Sequence, residues 1–260
     1  MMNKLNVFTY NLRIDVQGDG KNSFQNRRDF ILARFPSYGA ALVGFQETAP
    51  HMRQWLIENL AGYQVCGLGR EADLQGESNP IAYRADLFEL VALDMFWLSD
   101  IPWKPGSRFA TDQSDCPRIC TVAALRHKES GRLLRCYNTH LDHLGPIAQA
   151  QGLSLVLARM AEDYARWPMP VILMGDFNAF PHSPVYKSAQ GFAGCGAPLV
   201  DVTAGLGGTF HDFGRLAQLQ KIDYIFTNLP CNPAQSLLAQ DEADGVYLSD
   251  HYPVGAVVEL

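Results

Sequence analysis

Short apolar runs rich in β-branched and aromatic residues recur along the chain, at Leu5–Tyr10, Ala41–Phe45, Ile119–Leu125, Leu133–Asn138, Val171–Met174, Ile222–Thr227 and Val254–Val258. Runs of this length and composition predict strands. Helical spacing appears between some of them. Phe24–Phe35 sets Phe24, Arg27, Arg28, Ile31, Leu32 and Phe35 at amphipathic intervals, and Gln54–Leu60 is a shorter segment of the same kind. Gln149–Trp167 is the longest, with Leu153, Val156, Leu157, Met160 and Tyr164 on one stripe and Pro168 and Pro170 beyond its end. Strands alternating with occasional helices predict a layered α/β architecture. No Pro/Gly/Ser-rich linker, fixed-period repeat or low-complexity tract divides the chain, which predicts one domain over residues 1–260.

The predicted strands share a second property: most end on, or begin beside, residues that bind metal or move protons. Leu5–Tyr10 ends at Asn11, and Ala41–Phe45 ends at Gln46-Glu47. Leu133–Asn138 runs into Thr139-His140, and Val171–Met174 into Gly175-Asp176-Phe177-Asn178. Asp223 stands near the start of its strand, and Asp250-His251 just before the last one. A single strand-end Asp is usually a turn former and a single His a satisfied structural residue. The recurrence of such residues at successive strand ends points instead to a site mounted on a sheet rim.

Composition bears on what that site can take. The chain has 260 residues, 47% hydrophobic and 18% charged, with 21 Lys and Arg against 27 Asp and Glu, for a formal net charge of −6. A negative balance argues against a basic sheath for long nucleic acid. It does not exclude phosphorylated substrates, because a divalent cation supplies positive charge. The six cysteines are scattered, apart from the Cys116/Cys120 pair, and read as free buried thiols of a cytoplasmic protein rather than a zinc site. Neither a membrane-length apolar stretch nor a signal core stands in the sequence, so no membrane span is expected.

Glu47, Asp176, Asn178 and Asp250 are hard oxygen donors, with Asn11 a neutral one. Such a set suits Mg²⁺, with Mn²⁺ the alternative. Mg²⁺ keeps open positions for phosphate oxygens, which points to phosphoester hydrolysis by an activated water. Asp223 is a candidate to orient His251. A serine-hydrolase reading of that pair lacks a Gly-x-Ser-x-Gly elbow.

Tyr10-Asn11, Gln46-Glu47, Asn138-Thr139-His140, Gly175-Asp176-Phe177-Asn178, Ile222-Asp223-Tyr224 and Ser249-Asp250-His251, in this order, resemble the motifs of the endonuclease/exonuclease/phosphatase superfamily (deoxyribonuclease I-like). The resemblance implies a four-layer α/β sandwich, two packed mixed β-sheets flanked by helices. It implies a metal held by Glu47 with Asn11 and Asp250, assisted by Asp176, Asn178 and His251. The catalytic set it implies is His140, Asp176, Asn178, Asp223 and His251. In that set Asp176 positions or deprotonates the water, His140 donates to a phosphoryl oxygen, and His251 stabilises charge or acts as base. Asn11, Arg118, His140 and Asn178 are implied as substrate contacts, although Arg118 has an equally good reading as a structural ion pair.

Gly76-Glu77-Ser78-Asn79-Pro80-Ile81-Ala82-Tyr83-Arg84 and Phe96-Trp97-Leu98-Ser99 resemble a bacterial branch near the deadenylase-like members, in which an Arg usually stands where this chain has Gln149. Lys221-Ile222-Asp223-Tyr224 replaces the inositol 5-phosphatase signature. The expected activity is metal-dependent hydrolysis of a phosphodiester, a short single-stranded nucleic acid or nucleotide-like substrate, by a monomer without an evident protein partner. The alternatives are a phosphoesterase on a small sugar, inositol or lipid head group, or a catalytically inactive phosphate-ligand binding module. Trp97, Trp103 and Phe109 are candidates to stack a base or lipid, with core packing the commoner fate. His211 is expected on a loop near the cleft mouth, exposed there, with a substrate contact as the alternative.

Overall fold

Two mixed six-stranded sheets lie face to face with helices over both outer faces, in a computed structural model that describes residues 3–260. In chain order the first strands are β1 (Lys4–Asn11), β2 (Leu42–Gln46), β3 (Tyr63–Cys66), β4 (Ile81–Arg84), β5 (Phe88–Trp97), β6 (Ile119–His127) and β7 (Leu133–His140). They are followed by β8 (Val171–Asp176), β9 (Val200–Asp201), β10 (Asp223–Thr227), β11 (Leu237–Leu238), β12 (Glu242–Ala243), β13 (Val246–Tyr247) and β14 (Val254–Glu259). The first sheet has the order β11-β14-β1-β2-β4-β3, the second β5-β6-β7-β8-β10-β9, and β12 and β13 form a separate ribbon. Within each sheet one pair is parallel, β1 with β2 and β7 with β8, and the other pairings are antiparallel.

Three apolar clusters make four layers. Val7, Leu42, Leu125, Leu134, Ile172, Met174 and Ile225 fill the space between the sheets. Phe24, Ile31, Met52 and Leu56 seat α1 (Phe24–Arg34) and α2 (Pro50–Asn59) on the first sheet. Leu153, Val156, Met160, Val185 and Ala189 seat α3 (Pro146–Arg166) and α4 (Pro184–Ala189) on the second. β2, β8 and β10 are buried along their whole length, which is why their sequences read as continuous apolar runs rather than alternating ones.

One buried polar group ties the sheets together. The Asn138 amide on β7 donates to the carbonyls of Phe45 at 2.8 Å, Pro80 at 3.0 Å and Asn79 at 3.2 Å, and its oxygen accepts from Gln46 at 2.7 Å. Gly44 makes room for it, since a Cβ there would stand 2.7 Å from the Asn138 amide carbon. A fully satisfied buried network of this kind fixes one alignment of the packed faces.

The α3 stripe is as predicted, but both α2 and α3 begin earlier than periodicity suggests, at Pro50 and Pro146. Proline suits the first helical turn, where its missing N–H is not needed. At α3 the free amides of Ile147 and Ala148 are taken by Asp112, at 3.0 and 2.8 Å, a cap delivered from a distant loop. All six cysteines are free, and Cys120, Cys136 and Cys195 are buried. Among the described residues no helix is long and apolar enough to cross a membrane.

Candidate active site

The register of the strands sets the chemistry on one rim. Asn11 pairs with Gln46 across the parallel β1/β2 ladder, so Glu47 is the first residue beyond it. In the second sheet His140 pairs with Asp176, and Asp176 with Asp223, abreast on three adjacent strands. Asp250 and His251 precede β14, the antiparallel neighbour of β1. Residues from both sheets thus meet at a cleft of about 370 Å³ lined by Glu47, His140, Asp176, Asn178, Asp250 and His251. Asn11 and Asp223 are buried beside that group, at 1% exposure each.

Three residues at these strand ends take left-handed backbone angles: Arg13 (φ 55°), Glu47 (φ 54°) and Asn178 (φ 48°). The conformation is uncommon for residues with a Cβ and clusters at functional sites.

Hydrogen bonds connect the candidates. The Asn11 amide donates to Glu47 Oε1 at 3.0 Å and to Asp176 Oδ2 at 3.1 Å, while the Ile14 N–H donates to Glu47 Oε2 at 3.0 Å. Asp176 Oδ1 accepts from the Asn178 N–H at 2.9 Å. The Asn178 side-chain amide donates to Leu141 O at 3.1 Å and lies 3.0 Å from His140 Nε2, leaving the His140 ring proton on Nδ1, which is buried without an acceptor. His251 lies between two acids, with Nδ1 2.8 Å from Asp223 Oδ2 and Nε2 3.8 Å from Asp176 Oδ2. Thr209 Oγ1 donates to that same Asp223 oxygen at 2.5 Å.

Electrostatics follow from this packing. Burial, then the neighbouring Asp223, pushes the Asp176 carboxyl up to about 7, and burial raises Asp250 as well. Burial works against a charged His251 ring, but the surrounding carboxylates, Asp223 foremost, outweigh it and push it up to about 10. Burial would raise Glu47 too, yet the Asn11 amide and the Ile14 N–H hold it below its usual value. His140 is held neutral, first by burial and then by Arg118 and Arg70. Buried carboxylates that crowd one another are relieved by a cation. Glu47, His140 and Asp176 each bring one ligand atom within 4.8 Å of the others, so the donor set fits a divalent ion.

Arg118 makes the structural ion pair and also stands at the cleft. It is buried, pairs with Asp142 at 3.5 Å and His143 Nδ1 at 2.8 Å, and also lines the cleft. Gln149 donates to the carbonyls of Asp142 at 2.7 Å and Asn178 at 3.0 Å, joining the loops after β7 and β8 by their backbones.

The sequence reading missed Arg13, Arg70, Glu77 and His143, all of which line the cleft. Arg13 pairs with Asp19 at 3.0 Å and approaches Asp250 at 3.6 Å. Arg27 is fully buried and donates to the carbonyls of Asn22, Leu12, Arg13 and Leu248, drawing together the segments that carry Asn11 and Asp250.

Two expectations are corrected. His211 is not exposed: it is buried and stacks on Tyr252 at 4.0 Å, because its loop folds back and its N–H donates to Asp250 O at 2.9 Å. Trp97 is not a stacking surface: it is buried, and its Nε1 donates to Arg70 O at 2.6 Å. Phe109 packs against the second-sheet core, and Trp103 is 79% exposed but stands outside the cleft.

Comparison with known proteins agrees with the geometry. Residues 8–251 match the endonuclease/exonuclease/phosphatase family. The crystal structure of the endonuclease/exonuclease/phosphatase from Bacteroides vulgatus superposes with a TM-score of 0.86 at 30% identity, covering 99% of each chain. A mannosyl-6-phosphatase from Bacteroides thetaiotaomicron gives 0.85 at 28% identity, over 98% of this chain and 99% of that one. The human Nocturnin catalytic domain shares the fold with a TM-score of 0.74 at 18% identity, over 100% of this chain and 98% of that one. Among curated proteins none matches in sequence. With its motifs gathered on one rim and the match running through nearly all of its length, the chain belongs to the endonuclease/exonuclease/phosphatase family.

Proposed function

We propose that the protein is a Mg²⁺-dependent phosphoesterase that hydrolyses a small phosphoester. The observation that carries this reading is the convergence of Glu47, His140, Asp176, Asn178, Asp250 and His251, from two sheets, on one cleft. Glu47, Asp176 and Asp250, with Asn11 behind them, would hold the cation. When bound, that cation would polarise the phosphoryl group and lower the cost of its developing charge. Asp176 orients the attacking water and takes its proton, the water oxygen bonds to phosphorus as the ester P–O bond breaks, and the departing alkoxide takes a proton from solvent to leave as an alcohol. His251, fixed by Asp223, and His140, seated by Asn178, stabilise the charge growing on the phosphoryl oxygens.

A small substrate is favoured by the size and lining of the cleft, about 370 Å³ with Arg70, Arg118, Glu77 and His143 in its lining. The net charge of −6 also disfavours a long polyanion. The 28% identity to a mannosyl-6-phosphatase supports the same class. A nucleotide-like phosphodiester is the second reading, carried by Phe210, a ring in the cleft lining that packs 4.8 Å from His251 and offers a face to a base.

Release of p-nitrophenol from p-nitrophenyl phosphate and from bis-p-nitrophenyl phosphate tests the reaction and separates monoester from diester. Activity should require Mg²⁺, vanish with a chelator, and fall about 10²–10³-fold in His251→Ala. Chelator-resistant turnover, or full activity in that variant, would refute the reading.

A further inference from the structure

A second charged group lies in the cleft lining, away from the motif residues. Arg70 and Glu77 sit on the connection between β3 and β4, and Arg70 Nη2 donates to Glu77 Oε1 at 2.5 Å. Their backbone is braced on all sides. Arg70 N–H donates to Glu77 O at 2.9 Å, and Arg70 O accepts the buried Trp97 indole. Gly69 is pressed so close to Gln75 that a Cβ would stand 2.0 Å from its carbonyl oxygen. Ser78 bridges to both Gly69 and Thr48, so the residue directly after Glu77 is tied to the residue directly after Glu47.

This rigid loop carries hydrogen-bonding capacity that the protein does not use. Arg70 is more than nine-tenths buried, yet its Nε makes no hydrogen bond, the Glu71 carboxylate on the same loop standing 3.7 Å away. Glu77 takes one donor, Arg70, on one carboxylate oxygen, and among the described residues its other oxygen takes none. A buried donor left unpaired costs free energy that a ligand can recover.

The charges narrow what that ligand is. A second phosphate would be repelled by Glu77, and a cationic group by Arg70 and Arg118. A neutral group with several hydroxyls satisfies both partners at once, giving O–H donors to the carboxylate and an oxygen acceptor to the guanidinium. A base edge offers similar pairing but is normally held by stacking as well. Among the described residues lining the cleft, the one Phe, Tyr or Trp ring is Phe210, and with its centroid 4.8 Å from that of His251 it leaves a base no second ring to stack between.

We infer that Arg70 and Glu77 form a leaving-group subsite that reads the hydroxyls of a polyol, such as a sugar, esterified to the phosphate. The inference rests on the small-phosphoester reading above and gives it a substrate class. The motif residues would set how fast the ester is cleaved, and this pair which ester is chosen.

The test compares Mg²⁺-loaded wild type, Glu77→Gln and Arg70→Lys on mannose 6-phosphate, a 5′-nucleotide and p-nitrophenyl phosphate, with binding of free mannose measured by calorimetry. The selectivity ratio, kcat/KM for mannose 6-phosphate over that for p-nitrophenyl phosphate, should fall roughly 10–100-fold in Glu77→Gln, and mannose binding should weaken in parallel. Arg70→Lys should shift the ratio the same way, and decides the matter if Glu77→Gln does not fold. An unchanged ratio overturns the inference, as does a Glu77-dependent preference for the nucleotide over the sugar phosphate. Glu77-dependent mannose binding without turnover of any ester leaves the subsite standing and removes the phosphoesterase reading. Absence of any Glu77-dependent sugar binding or turnover overturns the subsite itself.

Discussion

His251 Nδ1 lies 2.8 Å from Asp223 Oδ2, and the same oxygen is held by Thr209 at 2.5 Å. The contact leaves Nε2 as the nitrogen that faces Asp176. Asp223→Asn keeps the volume but removes the charge that orients and protonates the ring. It should lower kcat about 10²–10⁴-fold with a smaller change in KM. Steady-state kinetics on p-nitrophenyl phosphate decide it, and an unaltered kcat would show that Asp223 only supports the fold.

Cation binding should be measurable without turnover. A ligand that binds the folded state alone adds about 2.7 kcal/mol at one hundred times its dissociation constant, or several degrees of melting temperature for a chain of this size. Mg²⁺ should therefore raise the melting temperature of the wild type, and a chelator should reverse the rise. In Glu47→Gln the shift should shrink to a degree or two at the same concentration. An equal shift in both proteins would place the cation elsewhere.

Asn138 accounts for much of the alignment of the sheets, through four hydrogen bonds, two to β2 and two to the connection that leads into β4. Asn138→Ala should cost about 2–4 kcal/mol, since it opens a cavity and strips partners from buried polar groups. Urea denaturation measures the loss. Asn138→Asp should recover little of it, because a carboxylate cannot donate to the carbonyls of Phe45, Asn79 and Pro80.

Asp142 gives the fold a dependence on acid. Burial would raise its carboxyl, but the Ser114 hydroxyl and the amides of Gly145 and Leu144 outweigh burial and hold it at about 2, below its ordinary 3.8. The folded state thus favours the charged form. That stabilisation is complete above about pH 4 and is lost as the pH falls from about 4 to about 2. Urea midpoints at pH 5 and pH 2.5 should diverge more in the wild type than in Asp142→Asn. Equal divergence would remove Asp142 from the account.

The strand-end residues were legible because motif order survives in the sequence even when the sheets do not. Strand register sets Asn11 at the end of its ladder and His140, Asp176 and Asp223 abreast, and Glu47, Asn178, Asp250 and His251 lie in the loops that adjoin these strands. β5 was not legible. Its pattern, exposed at Glu89, Ala92, Leu93 and Asp94 and bulged between Leu90 and Ala92, is that of an edge strand, neither an apolar run nor a clean alternation. Arg70 and Glu77 were hidden for another reason. Charged residues in a Gly-rich loop read as solvated, and only the Gly69–Ser78–Thr48 ladder turns them inward. His211 was misread likewise, since its burial depends on Tyr252, forty-one positions downstream.

The left-handed angles at Arg13, Glu47 and Asn178 carry a thermal consequence. Residues held against their backbone preference cost of order 1–3 kcal/mol each and persist only while their surroundings confine them. On warming, the rim should relax while the apolar layers beneath it remain packed. Inactivation and melting are then two events rather than one, and the protein loses its chemistry while it still keeps its shape.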